Sequence, residues 1–257
     1  MLLLVIQSVF CLHIVKIPFA NGGNTPASKY APHVLYEALK QKTAIQETFE
    51  IDMNRVYRQS FGDAFMTIWS ILSAGNFVLN IGGDHSVAIS TVYASNEVCR
   101  SHGEVLGVLW CDAHTDIATP ETSQSGNINE MPLSVLLGYT LPLLTFGEAL
   151  DASQIGYFGV QDLNEAEMDI IDHLHINVLE NEDEVKEWMK KFDRVHISFD
   201  ANVLENTCIP TQVLKNIFQY AKKTKKLVSL DIVEYCPEFD RENAALNAIV
   251  DLVKMIE

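Results

Sequence analysis

The chain has 257 residues, and its 34 acidic against 18 basic side chains give a formal net charge of −16. With 48% hydrophobic and 20% charged residues, the composition is that of an ordinary globular protein and excludes a disordered, collagen-like or coiled-coil chain. The acid excess argues against nucleic acid and against an anionic membrane surface as partners, because both bind through a basic face.

The N-terminal residues 1–12 form an apolar run that is similar to the hydrophobic region of a signal peptide. No basic residue precedes the run, and it is too short to span a bilayer. Residues 13–19 are typical of a buried strand, which cleavage near Ala20 would remove. We therefore expect a cytoplasmic protein with one domain over residues 1–257, in which residues 1–11 are an extension or follow a wrongly assigned start codon.

Five cysteines occur, an odd number, and no two of them have a Cys-x-x-Cys spacing. In a chain much longer than a disulfide-stapled small protein, this pattern favours reduced thiols in a reducing compartment. The cysteines are Cys11, Cys99, Cys111, Cys208 and Cys236.

Short runs dense in Val, Ile and Leu are typical of strands buried on both faces. Longer segments with helical spacing separate them, and the alternation predicts an α/β fold with a parallel sheet covered by helices on both sides. Segment 43–58 is ambiguous and is expected to be an irregular excursion. The predicted strands are residues 12–19, 76–81, 105–111, 154–160, 176–179, 194–199 and 227–233. The predicted helices are residues 29–41, 58–74, 86–99, 164–173, 183–191, 210–223 and 241–256.

Polar residues of unusual chemistry directly follow four of the predicted strands. Ligands of parallel sheets bind beyond the carboxyl ends of the strands, so these side chains are expected at one edge. Each group alone has a structural explanation, such as a helix cap at Asp84 or Ser86. Their occurrence at four strand ends favours a common site. The residues are His85, Asp112, His114, Asp116, Asp200, Asn202 and Glu234.

The run Asp-Ala-His-Thr-Asp at 112–116 sends Asp112, His114 and Asp116 the same way if the segment is extended. Imidazole and carboxylate without thiolate suit Mn²⁺, and less exclusively Zn²⁺, Fe²⁺ or Co²⁺. The number of carboxylates indicates that some bridge two ions, which lie roughly 3.5–4 Å apart in such centres. The other histidines lack such neighbours and are interpreted as structural or surface residues: His13, His33, His102, His173, His175 and His196.

These segments resemble the motifs of the ureohydrolase family, and those of arginases most closely. The family has Gly-Gly-Asp-His-Ser, Asp-Ala-His-Thr-Asp, Ser-Phe-Asp-x-Asp and a late Glu-x-x-Pro. The corresponding segments here are 82–86, 112–116, 198–202 and 234–237, in the same order and with similar spacing. The Ser-Gly-Asn at 125–127 falls where arginases have an amino-acid-binding Ser-Gly-Asn, and the likeness runs from about His13 to the C-terminus.

The resemblance implies a three-layer α/β/α sandwich with a mostly parallel central sheet and a centre of two Mn²⁺ ions. It also implies that a small guanidino substrate is hydrolysed, as L-arginine is to ornithine and urea. Asp116 would pass a proton to the leaving amine, and Glu234 would orient the guanidinium group. When the family's roles are carried over by position, one metal would bind His85, Asp112, Asp116 and Asp200, and the second would contact Asp112, His114 and Asp200. Ser125 and Asn127 would face the substrate's α-carboxylate. Glu167 and Glu234 would lie near the substrate's cationic end.

Four residues depart from the family's pattern. Asn202 replaces a carboxylate ligand of the second metal, and an amide oxygen binds more weakly, so this ion is expected to be labile. Asn129 replaces a histidine thought to shuttle protons. Asn164 replaces an aspartate that receives the α-amino group, and Ala118 replaces a polar contact to the amino-acid end. These changes predict slow turnover or an altered substrate.

Two hypotheses follow from the retained and the changed residues. The first is an arginase-like hydrolase with a weakened second metal site. The second is a metal-binding pseudoenzyme of the family that acts as a ligand-binding or regulatory subunit. The segment after Asp200 is shorter than in the family, and the sequence ends without the family's C-terminal tail. These two differences weaken the expectation of the family's usual trimer. A homo-oligomer is still compatible with the sequence.

Overall fold

The computed structural model describes residues 12–161, 163–205 and 208–256, so the predicted extension at 1–11 and Cys11 lie outside the described residues. Within the described part, every strand belongs to one sheet. The strands are β1 (Leu12–Ile17), β2 (Ile45–Glu50), β3 (Val78–Gly82), β4 (Leu106–Cys111), β5 (Ile155–Phe158), β6 (Asn177–Leu179), β7 (Arg194–Asp200) and β8 (Leu227–Val233).

The sheet is parallel at every strand pair, with the order β2-β1-β3-β8-β7-β4-β5-β6. All of the predicted strands are present, and β8 has the predicted bounds. The expectation of an irregular segment at 43–58 was wrong for Ile45–Glu50, which forms β2. This strand lies at an edge of the sheet and is half-exposed, so it carries polar residues and lacks the hydrophobic density of a central strand.

Helices cover both faces of the sheet. They are α1 (Ala31–Leu39), α2 (Tyr57–Ser73), α3 (Ala88–Ser101), α4 (Pro132–Leu136), α5 (Glu165–Leu174), α6 (Glu182–Lys190), α7 (Asn202–Glu205), α8 (Thr211–Lys223) and α9 (Ala244–Met255). The predicted helices are all present, whereas the short helices α4 and α7 were not predicted. Helix length explains the omission, because one turn is too short to show a period.

Two hydrophobic cores lie on opposite faces of the sheet, which confirms the three-layer α/β/α sandwich. In β4, Leu109 and Cys111 contribute to the core beneath α1, α6, α8 and α9. Val108 and Trp110 alternate with them and join the core beneath α2, α3, α4 and α5. Apolar side chains on both faces of one strand explain why the central strands are continuous hydrophobic runs. No helix among the described residues has the length and apolarity needed to cross a membrane.

The four strands whose ends carry the candidate site residues are neighbours in the middle of the sheet, in the order β3-β8-β7-β4. Since all of them run in the same direction, their carboxyl ends meet at one edge. The residues after these ends are therefore brought together even though about 150 positions separate Gly82 from Glu234 in the chain.

Candidate active site

The chain turns sharply after β3 and directs His85 into the site. A Cβ atom on Gly83 would lie 1.9 Å from the carbonyl oxygen of Phe19, so the backbone can pass this point only as glycine. Asp84 caps the following turn, because its Oδ1 accepts a hydrogen bond from the Ser86 backbone at 3.0 Å. Asp84 therefore acts as a helix cap, whereas His85 points towards the carboxylates of Asp112, Asp116 and Asp200.

The Nδ1 atom of His85 faces three carboxylates. It lies 2.9 Å from Oδ2 of Asp112, 2.9 Å from Oδ2 of Asp116 and 3.6 Å from Oδ2 of Asp200. The ring is buried and stacks on Trp110, with 4.1 Å between ring centroids and 8° between planes. Burial opposes a charged imidazole, but the hydrogen bonds to the carboxylates outweigh it and raise the pKa of His85.

Asp112 joins the two site histidines. Its Oδ2 contacts His85, while its Oδ1 accepts the His114 backbone N–H at 3.0 Å and lies 3.3 Å from His114 Nδ1. Two groups of three metal-capable side chains therefore share Asp112, with the ligand atoms of each group within 4.8 Å of one another. The first group is His85, Asp112 and Asp116, and the second is Asp112, His114 and Asp200. The structure thus brings together five of the six residues predicted to bind metal, while the sixth, Asn202, belongs to neither group and lines the cleft beside them.

The carboxylates of the cluster have strongly perturbed pKa values. Burial and then the charge of Asp112 raise the pKa of Asp116 to about 7 and that of Asp200 to about 6. Asp112 responds in the opposite direction: its hydrogen bonds with His114 and His85 outweigh burial and lower its pKa. The hydrogen bond to Asp112 raises the pKa of His114 to about 9. These shifts identify a buried excess of negative charge that a bound cation would relieve.

Backbone geometry directs two of the site residues. Asp116 has φ 50° and Glu234 has φ 58°, both in the left-handed region that non-glycine residues rarely adopt. The backbone N–H of Glu234 donates a hydrogen bond to the carbonyl of Gly83 at 2.7 Å, and this bond keeps the residue in its strained conformation. Such conformations cost about 1–3 kcal/mol and persist where the surrounding structure requires them.

The side chain of Glu234, the residue directly after β8, is fixed by two hydrogen bonds that one of its carboxylate oxygens accepts. Its Oε1 accepts the backbone N–H of His85 at 2.9 Å and the amide Nδ2 of Asn129 at 3.2 Å. Burial and then the charge of Asp200 raise the pKa of Glu234 to about 8. Asn129 therefore contacts an acidic site residue at the position where the resemblance implied a histidine.

A cleft of about 610 Å³ opens beside the cluster. His114, which is about half exposed, lies at its wall, and the histidines interpreted as structural or surface residues are absent from its described lining. Of the residues predicted to contact metal or substrate, the buried His85 and Asp112 are absent from the described lining. The other nine line the cleft: His114, Asp116, Ser125, Asn127, Asn164, Glu167, Asp200, Asn202 and Glu234.

Three predicted site residues lie at the N-terminal ends of helices. Asn164 and Glu167 form a capping box at the start of α5: the Asn164 side chain accepts the Glu167 backbone N–H at 3.0 Å, and the Glu167 carboxylate accepts the Asn164 N–H at 3.3 Å. Asn202 begins α7, and its backbone N–H donates to Oδ1 of Asp200 at 2.7 Å. The backbone of residue 202 thus fixes the orientation of a candidate metal ligand.

Glu130, which no sequence motif indicated, also lines the cleft. Ser125 Oγ donates to Glu130 Oε1 at 2.6 Å, and Asn127 Nδ2 donates to the same oxygen at 3.3 Å. The signal available in the sequence was an acidic residue three positions after the Ser-Gly-Asn segment. That spacing alone does not reveal that the carboxylate turns back onto the segment.

Comparisons with known proteins identify the family of this chain. The family model described as Arginase family matches residues 12–256. The arginase of Entamoeba histolytica is 31% identical over 207 residues, which cover 71% of this chain and 70% of that one. The arginase of Bacillus caldovelox is 30% identical over 210 residues, with 71% and 69% covered. The chain spans less of the Plasmodium berghei arginase, 59% of its length at 32% identity.

Solved structures show the same fold. The Entamoeba histolytica arginase in complex with L-ornithine has a TM-score of 0.83 at 23% identity, with 96% of this chain and 97% of that one covered. The formimidoylglutamase of Bacillus subtilis has a TM-score of 0.77 at 18% identity, with 97% and 87% covered. The chain belongs to the arginase family and is a hydrolase of that family.

Proposed function

We propose that this protein uses two divalent metal ions, preferably Mn²⁺, to hydrolyse a guanidino compound to urea and an amine. The observation that carries the proposal is the pair of potential ligand groups that share Asp112 beside the cleft. In this reaction, water adds to the guanidinium carbon and the bond from that carbon to the substituted nitrogen breaks. The products are urea and an alkylammonium ion, and neither an oxidant nor a reductant is needed.

The donor set fits such ions. Imidazole nitrogens and carboxylate oxygens without a thiolate suit Mn²⁺, and the raised pKa values of Asp116 and Asp200 indicate a surplus of buried negative charge. When bound, two such ions make water a better nucleophile at neutral pH by lowering its pKa. His85, Asp112, Asp116 and Asp200 would hold one ion, and Asp112, His114 and Asp200, with the amide of Asn202, would hold the other.

Asp116 and Glu234 would have separate roles, in proton transfer and in orienting the substrate. The buried carboxylate of Asp116 would take a proton from the attacking water and deliver it to the leaving nitrogen. Glu234 lines the same cleft, and its carboxylate is held in place by His85 and Asn129, so it would orient the cationic guanidinium group. The charge of the substrate would in turn favour the ionised form of Glu234.

Urea release tests the proposal directly. The purified protein would be stripped with a chelator, reloaded with Mn²⁺, and incubated with L-arginine, agmatine, 4-guanidinobutyrate and N-formimidoylglutamate. Urea from a guanidino substrate would support the proposal, and ammonia or formamide from N-formimidoylglutamate alone would contradict it. Asp112→Asn, prepared in parallel, controls for ureohydrolase carried over from the expression host, because this variant lacks the residue that both ligand groups share.

A metal-binding pseudoenzyme is the second candidate. The observation that favours it is that neutral amides, Asn129 and Asn202, line the cleft where the resemblance implies a histidine and a carboxylate. A protein that binds Mn²⁺ at the cluster but releases neither urea nor ammonia from any of the four compounds would fit this candidate. The cytoplasmic location and the oligomeric state remain predictions from the sequence.

A further inference from the structure

The lining of the cleft contains a carboxylate, that of Glu130, which is hydrogen-bonded to the chain's own loop. Glu130 accepts hydrogen bonds from Ser125 Oγ at 2.6 Å and Asn127 Nδ2 at 3.3 Å through one oxygen, and from Ser123 Oγ at 3.0 Å through the other. Both of its oxygens are therefore engaged by donors on the loop before it. Ser125 and Asn127 are the residues for which the sequence predicted contact with a substrate carboxylate.

Glu130 therefore occupies the hydrogen-bond donors that an amino-acid substrate would need. A substrate carboxylate at this position would have to displace the Glu130 side chain from these donors or lie against its negative charge. Either event costs binding energy, because hydrogen bonds to a charged group are among the stronger ones in proteins.

The charged residues that line the cleft do not offset this loss of binding energy. The described lining of the cleft contains no lysine or arginine, whereas Glu130 and Glu167, neither of them a predicted metal ligand, both line it. A substrate carboxylate would find no lysine or arginine partner there, and His114 is already paired with Asp112. An ammonium group, in contrast, would meet acceptor oxygens and a favourable electrostatic field.

We propose that the preferred substrate is a guanidino amine, an alkylguanidine whose other end carries an amino group and no carboxylate, and that Glu130 determines this preference. The inference rests on the proposed function and specifies its substrate class. Glu130 would select in two ways: it blocks the donors of Ser125 and Asn127 against a carboxylate, and it offers its own charge to an ammonium group.

The test compares three probes on the Mn²⁺-loaded protein. Agmatine carries a distal amine, 4-guanidinobutyrate a distal carboxylate, and L-arginine both groups. We expect kcat/KM for agmatine to exceed that for either carboxylate-bearing probe by about 10- to 100-fold, the difference that one unpaired or repelled charge makes. Calorimetric binding of the same three probes gives a readout that does not require turnover.

Glu130→Gln is the matched variant, because it keeps the shape and one acceptor oxygen but removes the charge. It should reduce the agmatine-to-arginine ratio by about tenfold. Glu121→Gln is the control, since Glu121 is exposed on the same loop and is absent from the described lining of the cleft. It should leave the ratio unchanged.

The outcomes separate the two proposals. Urea release with arginine equal to or better than agmatine overturns the role of Glu130 and leaves the guanidino hydrolase standing. An unchanged ratio in Glu130→Gln does the same. If no probe yields urea, the proposed function fails, and calorimetry then decides the inference: tighter binding of agmatine supports the binding preference, and equal or weaker binding contradicts it.

Discussion

The Nε2 atom of His85 lies 2.9 Å from the Oγ atom of Ser198, on the opposite side of the imidazole from the carboxylates. A metal on Nδ1 requires the ring proton to be on Nε2, and Ser198 is placed to accept that proton's hydrogen bond. The Ser198 hydroxyl in turn lies 3.4 Å from Oδ2 of the buried Asp231. Ser198 therefore favours the tautomer of His85 that can bind a metal.

Ser198→Ala is expected to weaken binding of the first metal by about 10- to 100-fold, because the imidazole loses the partner that fixes its tautomer and orientation. The measurement is competition for Mn²⁺ against a chelator of known affinity. Ser229→Ala is the control: Ser229 is equally buried, on the neighbouring strand, and contacts Asn80 instead of a site histidine. Equal metal affinities in the two variants would contradict this role for Ser198.

Variants of the shared and unshared ligands should differ in metal stoichiometry. Asp112→Asn removes the charge common to both ligand groups, so we expect it to lose both ions. His114→Asn changes only the second group and should retain one ion. Elemental analysis after gel filtration gives metal per chain for each variant. A single ion lost in both variants would show that Asp112 does not bridge two sites.

Asn202→Asp should strengthen the second metal site. Residue 202 lines the cleft beside Asp200, and a carboxylate there adds a negative charge and a second ligand oxygen. We expect higher occupancy of the second ion at limiting Mn²⁺ and, with it, faster urea release. Asn181→Asp is the control, because Asn181 caps α6, is absent from the described lining of the cleft, and aspartate caps equally well. Unchanged metal binding in Asn202→Asp would place residue 202 outside the centre.

The metal-free protein should lose stability as the pH rises from about 5 to about 9. The pKa values of Asp116, Asp200 and Glu234 are raised to about 7, 6 and 8, so the folded chain holds more protons than the unfolded chain in this window. His114, with a pKa raised to about 9, acts in the same direction because its stabilising charge is lost as the pH passes that value. The lowered pKa of Asp112 acts only below its usual value of 3.8.

Calorimetry at pH 5.5, 7 and 8.5, with and without Mn²⁺, measures this dependence. We expect the metal-free free energy of unfolding to fall by at least about 1 kcal/mol across the range, roughly 2–4 °C in Tm, and the stabilisation by Mn²⁺ to grow with pH. Asp116→Asn should flatten the metal-free profile, because it removes one of the titrating groups. A Tm of the metal-free protein that rises with pH would contradict the assigned shifts.

Local patterns in the sequence were sufficient for the fold class and for the metal-capable residues. Buried parallel strands need apolar side chains on both faces, so they stand out as dense runs, and helices between them follow from spacing. The expectation that Asp112, His114 and Asp116 point the same way from an extended segment was wrong, because the chain bends after Asp112 and Asp116 has φ 50°. Asp116 therefore joins His85 and Asp112, whereas His114 joins Asp112 and Asp200. The exposed strand Ile45–Glu50 escaped detection because an edge strand buries too little to need such a run.

What the sequence by itself determined was therefore the kind of layers, the carboxyl ends of the four central strands to within one residue, and the chemistry carried there. Only the tertiary structure decided that β3, β8, β7 and β4 are neighbours, that Asp112 lies between His85 and His114, and that Glu130 turns back onto Ser125 and Asn127. The physical reason is that local periodicity reports which surface a residue buries, whereas strand order and side-chain pairing arise from contacts between segments far apart in the chain, which no local pattern records.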